Sequence, residues 1–144
     1  MFFGQFDHNI DEKGRLTIPA RYRDLLESGA YITRGIENNL MVMRKEEFDL
    51  LYHKIKTLSI TNPQARDLAR LIFGNAAMLE LDKAGRILLP QFLREAAHLD
   101  STVKVLGIGP YFEIWSSENW RLKESCFEDG EERAKKFESL DLTF

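Results

Sequence analysis

Two stretches of this 144-residue chain place acids, bases and a glycine in a short turn that runs into an apolar strand closed by a proline. They are DEKGRLTIP at 11–19 and DKAGRILLP at 82–90. An aspartate four residues before an arginine supplies a carboxylate that can hold a guanidinium. An arginine at a protruding turn can meet guanine O6 and N7 with two bonds, or a phosphate oxygen. The same spacing also makes a plain ion pair that braces the turn, and an exposed pair of that kind contributes only ~0–1 kcal/mol. Both roles coexist where the aspartate aims the arginine. Arg15 and Arg86 are therefore the candidate DNA-contacting residues, with Lys13 and Lys83 beside them as phosphate contacts. Asp11 and Asp82 would orient the turns, and Gly14 and Gly85 would supply positive φ without a Cβ penalty.

Other chemistries find less support. Asp11 and Asp82 could be read as a catalytic carboxylate pair, but no nucleophile, metal cluster or substrate pocket stands beside them. His8, His53 and His98 are scattered without ligand spacing. The G-x-G of LGIGPYF, at 106–112, has no third glycine opening a helix and reads as a turn. Cys126 is the only cysteine, so no intrachain disulfide can form, which suits a reducing compartment. The aromatics Phe112, Trp115 and Trp120 fit a core or subunit interface better than a base-stacking platform. The expectation is a protein that is not an enzyme and takes no cofactor, metal or small-molecule substrate.

The elements that must position the turns are written twice. An offset of 71 aligns IDEKGRLTIPARYRDLL (10–26) with LDKAGRILLPQFLREAA (81–97), bringing Asp11, Gly14, Arg15, Pro19 and Arg23 onto Asp82, Gly85, Arg86, Pro90 and Arg94. With one inserted residue, RGIENNLMVMRKEEF (34–48) aligns with LGIGPYFEIWSSENW (106–120). Each copy reads as strand, charged turn, strand, short helix, strand, turn, strand. The first helix is predicted from Ala20 to the stop at Gly29. Two helices follow the first copy, the second with Asn62 as N-cap, Pro63 at its first position and Gly74 just past its end. Another helical pattern covers 117–127, and the charged tail is a candidate for one more. A unit of about 45 residues buries its strands poorly alone. Two copies can close one core around a pseudo-twofold axis, each covering the other's edges. The predicted fold is α/β and β-rich, divided into half-units at 1–50 and 75–120, a helical hairpin connector at 51–74 and a charged helical tail at 121–144.

Net charge is −3, with 44% hydrophobic and 30% charged residues. The tail carries the excess, since residues 128–144 hold six acids against three bases and residues 1–127 sum to zero. Lys13, Arg15, Arg21, Arg23 and Arg34 face only Asp24 and Glu27 within 13–34, so a local basic surface is possible. No apolar run approaches the ~20 residues that cross a bilayer. The start MFFGQFDHNI lacks the basic and apolar regions of a secretory signal.

The opening MFFGQFDHNIDEKGRLTIPARYRDLL closely resembles that of the MraZ family of bacterial transcriptional regulators. The repeated Asp-x-x-x-Arg resembles the DNA-binding half-unit of the SpoVT-AbrB, swapped-hairpin class, and the likeness runs over about 1–120. It implies two swapped-hairpin β-barrel half-units in one chain, ring-shaped homo-oligomers, and a cytoplasmic, nucleoid-associated regulator. It further implies binding to short tandem repeats in double-stranded DNA ahead of the division and cell-wall gene cluster, as a repressor. Two positions depart between the copies, Ala84 standing where the first has Lys13 and Phe92 where it has Arg21, so the second copy has fewer bases. The alternative is an oligomeric protein-interaction scaffold whose duplicated turns serve assembly alone.

Overall fold

The computed structural model describes residues 1–142; the last two residues of the predicted tail lie outside them. The first copy forms strand β1 (Gln5–Asn9), the charged turn, β2 (Arg15–Thr17), helix α1 (Ala20–Arg23), β3 (Ala30–Arg34) and β4 (Asn39–Arg44). Helices α2 (Lys45–Lys56) and α3 (Pro63–Phe73) follow. The second copy repeats the series as β5 (Ala77–Leu79), β6 (Arg86–Leu88), α4 (Gln91–Ala96), β7 (Thr102–Gly107) and β8 (Tyr111–Ser116). Helices α5 (Ser117–Glu124) and α6 (Gly130–Phe137) close the chain.

Local signals explain most boundaries. Pro19 and Pro90 sit at the N-caps of α1 and α4, where a missing N–H costs no ladder bond. The side chain of Asn62 accepts from the Gln64 N–H at the start of α3, and Gly74 caps its end. Ser116 and Asp129 cap α5 and α6 in the same way. The expected first helix is shorter than predicted. It makes one α-turn, tightens into a 3-10 turn over Asp24–Leu26 and stops at Gly29, where φ is 110°. The chain there turns Tyr22 and Leu26 inward to the core, and no side chain caps the start.

Six strands form one sheet in the order β1-β7-β8-β4-β3-β5, and β2 pairs with β6 in a separate two-stranded ribbon. Every pairing is antiparallel. The order is unchanged when β1–β4 are exchanged with β5–β8, so the pairing carries the pseudo-twofold expected from the repeat. Each strand pairs with one from the other copy: β1 with β7, β2 with β6, β3 with β5 and β4 with β8. The copies are interlaced, and each supplies the edges the other lacks.

The core lies between the ribbon and the sheet. Leu16, Ile18, Ile87 and Leu89 point inward from the ribbon and meet Ile32, Val42, Val105 and Ile114 from the sheet, all essentially without solvent exposure. Each such side chain contributes about 1.5–3 kcal/mol by leaving water. One corner is aromatic in the first copy only: Tyr22 packs among Phe2, Phe6 and Phe112 and donates its phenol to the Phe3 carbonyl at 2.6 Å. Its counterpart in the second copy is the buried Leu93. Trp115 and Trp120 are buried and packed on each other at 5.5 Å, and Phe112 is wholly buried, so all three belong to the protomer's interior. Among the described residues, no helix is long and apolar enough to cross a membrane.

Candidate nucleic-acid interface

The turn between β1 and β2 is built by one carboxylate. The Gly14 N–H donates to the Asp11 carbonyl at 3.0 Å, closing a four-residue turn, and the Asp11 N–H donates to the Arg15 carbonyl at 3.0 Å. Oδ1 of Asp11 accepts the backbone N–H groups of Lys13 and Arg15, both at 2.9 Å. Oδ2 accepts from Nε of Arg15 at 2.7 Å. One side chain therefore satisfies two donors of the turn and fixes the guanidinium through its inner nitrogen. The Nη1 and Nη2 groups of Arg15 make no hydrogen bond among the described residues. That outer edge is the part of the group that can grip two acceptors at once.

The second turn repeats the first bond for bond. Gly85 donates to the Asp82 carbonyl at 3.0 Å, and Oδ1 of Asp82 accepts from the Ala84 and Arg86 N–H groups at 2.8 and 2.9 Å. Oδ2 accepts from Nε of Arg86 at 2.8 Å. Arg15 and Arg86 are about equally accessible, with side chains 31% and 32% exposed. Lys13 and Lys83 are fully at the surface beside them. Both aspartates titrate below the ordinary carboxylate value, chiefly because the backbone N–H of the following arginine is bonded to the charged form, with the arginine side chain adding to it.

The copies also brace each other's turns, which the sequence reading missed. In the structure Nε of Arg23 donates to the Ile18 carbonyl at 3.0 Å and Nε of Arg94 to that of Leu89 at 3.1 Å. Each guanidinium then lies over the glycine of the opposite turn. A Cβ built on Gly14 would stand 2.9 Å from Cζ of Arg94, and one on Gly85 closer still to Arg23. With φ of 81° and 77°, these glycines answer two demands, a left-handed backbone and room for an arginine. Backbone bonds from Leu89 to Gly14 and from Ile18 to Gly85, each 2.9 Å, complete the lock. The signal in the sequence was the alignment of Arg23 with Arg94, which a helical wheel taken copy by copy does not use. Arg21, the remaining base of α1, leans over the Phe6 ring at 5.3 Å.

The assembled site is a two-stranded ribbon with an aspartate-held arginine, a lysine and a buttressing arginine at each of its turns. Such groups suit anionic, acceptor-rich ligands, nucleic acid above all. Comparison with known proteins agrees with this chemistry. A family model described as "MraZ protein, putative antitoxin-like" matches twice, over residues 1–71 and 72–140, so each match takes in one copy and helices that follow it. A protein of Carboxydothermus hydrogenoformans named Transcriptional regulator MraZ is 46% identical over 120 residues, 83% of this chain and 84% of the relative. One of the same name from Heliobacterium modesticaldum is 43% identical over 143 residues, 99% of this chain and 100% of the relative. A third, from Roseiflexus castenholzii, is 44% identical over 121 residues. On a doubled family match and likenesses that cover more than four fifths of each relative, the chain belongs to the MraZ family.

Proposed function

We propose that the chain is a transcriptional regulator that binds double-stranded DNA in a sequence-specific manner through its two turns, without enzymatic activity. One observation carries the proposal. The Asp–Arg arrangement is repeated bond for bond on both turns, each time with the arginine held at Nε and its Nη groups making no hydrogen bond among the described residues. In this reading Arg15 and Arg86 contact base edges, Lys13 and Lys83 contact phosphates, and Asp11, Asp82, Gly14 and Gly85 hold the turns in shape. Segments 1–50 and 75–120 act as swapped-hairpin half-barrels, with 51–74 as connector and 121–144 as tail. A single protomer with net charge −3 has few cationic contacts. Binding therefore relies on a ring of protomers that presents the same turns to evenly spaced repeats, a gain in effective concentration of ~10²–10⁴. Occupying tandem repeats ahead of the division and cell-wall gene cluster, such a ring represses transcription there and resides with the nucleoid.

Electrophoretic mobility shift with tandem-repeat and single-repeat duplexes tests this over a salt series. The expected result is much weaker binding to one repeat, with log K falling against log salt by ~0.9 per phosphate contacted. Equal affinity for one and several repeats would remove the ring from the mechanism. Assembly without any DNA binding would favour the interaction scaffold instead.

A further inference from the structure

With both tryptophans buried, the exposed apolar surface lies elsewhere. Helices α2 and α3 pack on β3 and β4 through one side and leave a cleft of about 370 Å³ between them. Tyr52, Leu58, Ala69 and Phe73 line it, Leu58 and Ile60 are 47% and 80% exposed, and Lys56, Arg66 and Arg70 stand around it. No acid lines the cleft; Asp67 pairs with Arg70 at 3.0 Å from outside it.

The other unpartnered element is the C-terminal arm. Helix α6 packs mainly on the adjoining turns at 125–127 and 138–140, with Phe127 and Phe137 stacked at 6.3 Å. Phe137 and Leu140 remain 45% and 70% exposed. Residues 128–141 hold six acids against Arg133, Lys135 and Lys136. On α6, Ala134 and Phe137 share a face with Glu131 to one side and Arg133 to the other, and Glu138 follows in the 3-10 turn at 138–140.

These two features occupy corresponding places in the order of the repeat. Helix α5 follows β8 as α2 follows β4, and α6 follows α5 as α3 follows α2. A helical arm therefore follows each copy; in the first both α2 and α3 pack on the sheet, and in the second it is α5 that packs on β7 and β8 while α6 stands on its adjoining turns. One presents an apolar cleft with bases around it, and the other an apolar stripe with acids. Like-charged arms would favour a face that repels itself. Opposite arms favour head-to-tail contact, in which the first arm of one copy meets the second arm of the next, and such a contact closes into a ring when its rotation permits.

We propose that the cleft between α2 and α3 receives the acidic arm, residues 128–141, of a second copy of this chain. Phe137 and Leu140 enter the apolar cleft, while Glu131 and Glu138 face Lys56 and Arg70. The inference rests on the self-assembly proposed above and names the surfaces that make it.

Sedimentation velocity on the full-length chain over a concentration series tests it with charge reversals at exposed positions. Lys56→Glu with Arg70→Glu alters the cleft, and Glu131→Lys with Glu138→Lys alters the arm. Each variant alone should raise the concentration of half-assembly about tenfold or more at low salt, with thermal unfolding nearly unchanged. A one-to-one mixture of the two variants should assemble again, because every arm then faces a cleft of opposite charge. A contact within one chain cannot be rescued by mixing. Wild-type assembly that neither variant weakens would overturn the docking and leave the self-assembly proposal standing, whereas a monomeric wild type would overturn both. Cleft variants that lose DNA affinity with assembly intact would give the cleft to nucleic acid and also overturn the docking.

Discussion

The turn at 11–15 and the turn at 82–86 make the same hydrogen bonds, yet at the two positions outside the Asp–Gly–Arg frame they share no residue. Glu12 and Lys13 in the first stand opposite Lys83 and Ala84 in the second. What is common is the carboxylate that accepts three donors, the glycine that passes under an arginine, and the guanidinium that the carboxylate holds. The two turns keep one geometry with only those three residues in common. Neighbouring positions are left to set local charge. Counting charge also changes how the copies compare. The second has fewer bases, but from the aspartate to the buttressing arginine the first sets Lys13, Arg15, Arg21 and Arg23 against Asp11 and Glu12. The second sets Lys83, Arg86 and Arg94 against Asp82 alone. Both segments come to +2, so a phosphate backbone would meet similar fields at the two turns.

The largest effect that could break this equivalence is on DNA affinity. Arg15→Ala should lower repeat-DNA binding by about tenfold to a hundredfold, the size of one bidentate base contact at ~1–3 kcal/mol. Because the geometry and net charge match, Arg86→Ala should fall within about threefold of it. The double variant should retain only non-specific, salt-sensitive binding. Fold and assembly should survive in all three, since an exposed ion pair contributes little. Binding isotherms paired with thermal melts check this. A silent Arg86→Ala would show that only one turn reads DNA, and would point to Lys13 and Arg21 as the reason. A melted Arg15→Ala whose folded fraction still binds would make the turn structural.

Next in size is stability at the glycines. Alanine at φ near +80° costs on the order of 1–2 kcal/mol in either turn. Gly85→Ala should cost more than Gly14→Ala. The added Cβ would press directly on Nε and Cδ of Arg23, whose Nε bond to Ile18 cannot hold if it moves, whereas at Gly14 the nearest atom is Cζ of Arg94 at 2.9 Å and Nε stands 3.2 Å away. Denaturant midpoints of the two variants give the comparison. Equal losses would mean that both arginines swing aside freely and that the lock between copies carries little energy.

How far these features were legible depends on their range along the chain. The Asp-to-Arg turns, the Asn62 cap and the stop at Gly74 all rest on bonds within a few residues, and all were readable. The duplication was readable too, and with it the idea of a shared core. Which strand pairs with which was not, because apolar alternation in β3 is equally satisfied beside β5 or β7. Only closing the whole chain selects β5 there and β1 beside β7. The role of Arg23 and Arg94 was hidden for the same reason, as each reaches a glycine more than sixty residues away. Trp115 and Trp120 read as a possible interface because they end an aligned strand and open a helix, yet Ser116 caps that helix and folds it back so that the rings pack on each other.

The smallest effect is the most discriminating about what each turn's aspartate does. Asp11 and Asp82 lie below the ordinary carboxylate value of 3.8 in the folded chain. A carboxyl depressed by folding stabilises the native state above its unfolded value, and that contribution is lost as pH falls through the folded value. The window is therefore acidic, beginning near pH 3.8 and extending downward, and physiological pH lies wholly above it. Both aspartates should titrate together when followed by carboxyl-carbon NMR, because the donors they accept are the same. Glu12 and Lys83, the exposed neighbours of the two carboxyls, should split the two values only slightly, less so at higher salt. The Arg15→Ala variant then separates bracing from contact. It removes the Nε bond but keeps the backbone N–H of residue 15, the larger cause of the shift, so the Asp11 carboxyl should rise part of the way and stay below its ordinary value. A carboxyl still depressed in a variant that no longer binds DNA would mean that the turn is intact and the guanidinium was the contact. A full return to the ordinary value would mean that Arg15 holds the turn itself together, and the loss of binding would then follow from loss of shape.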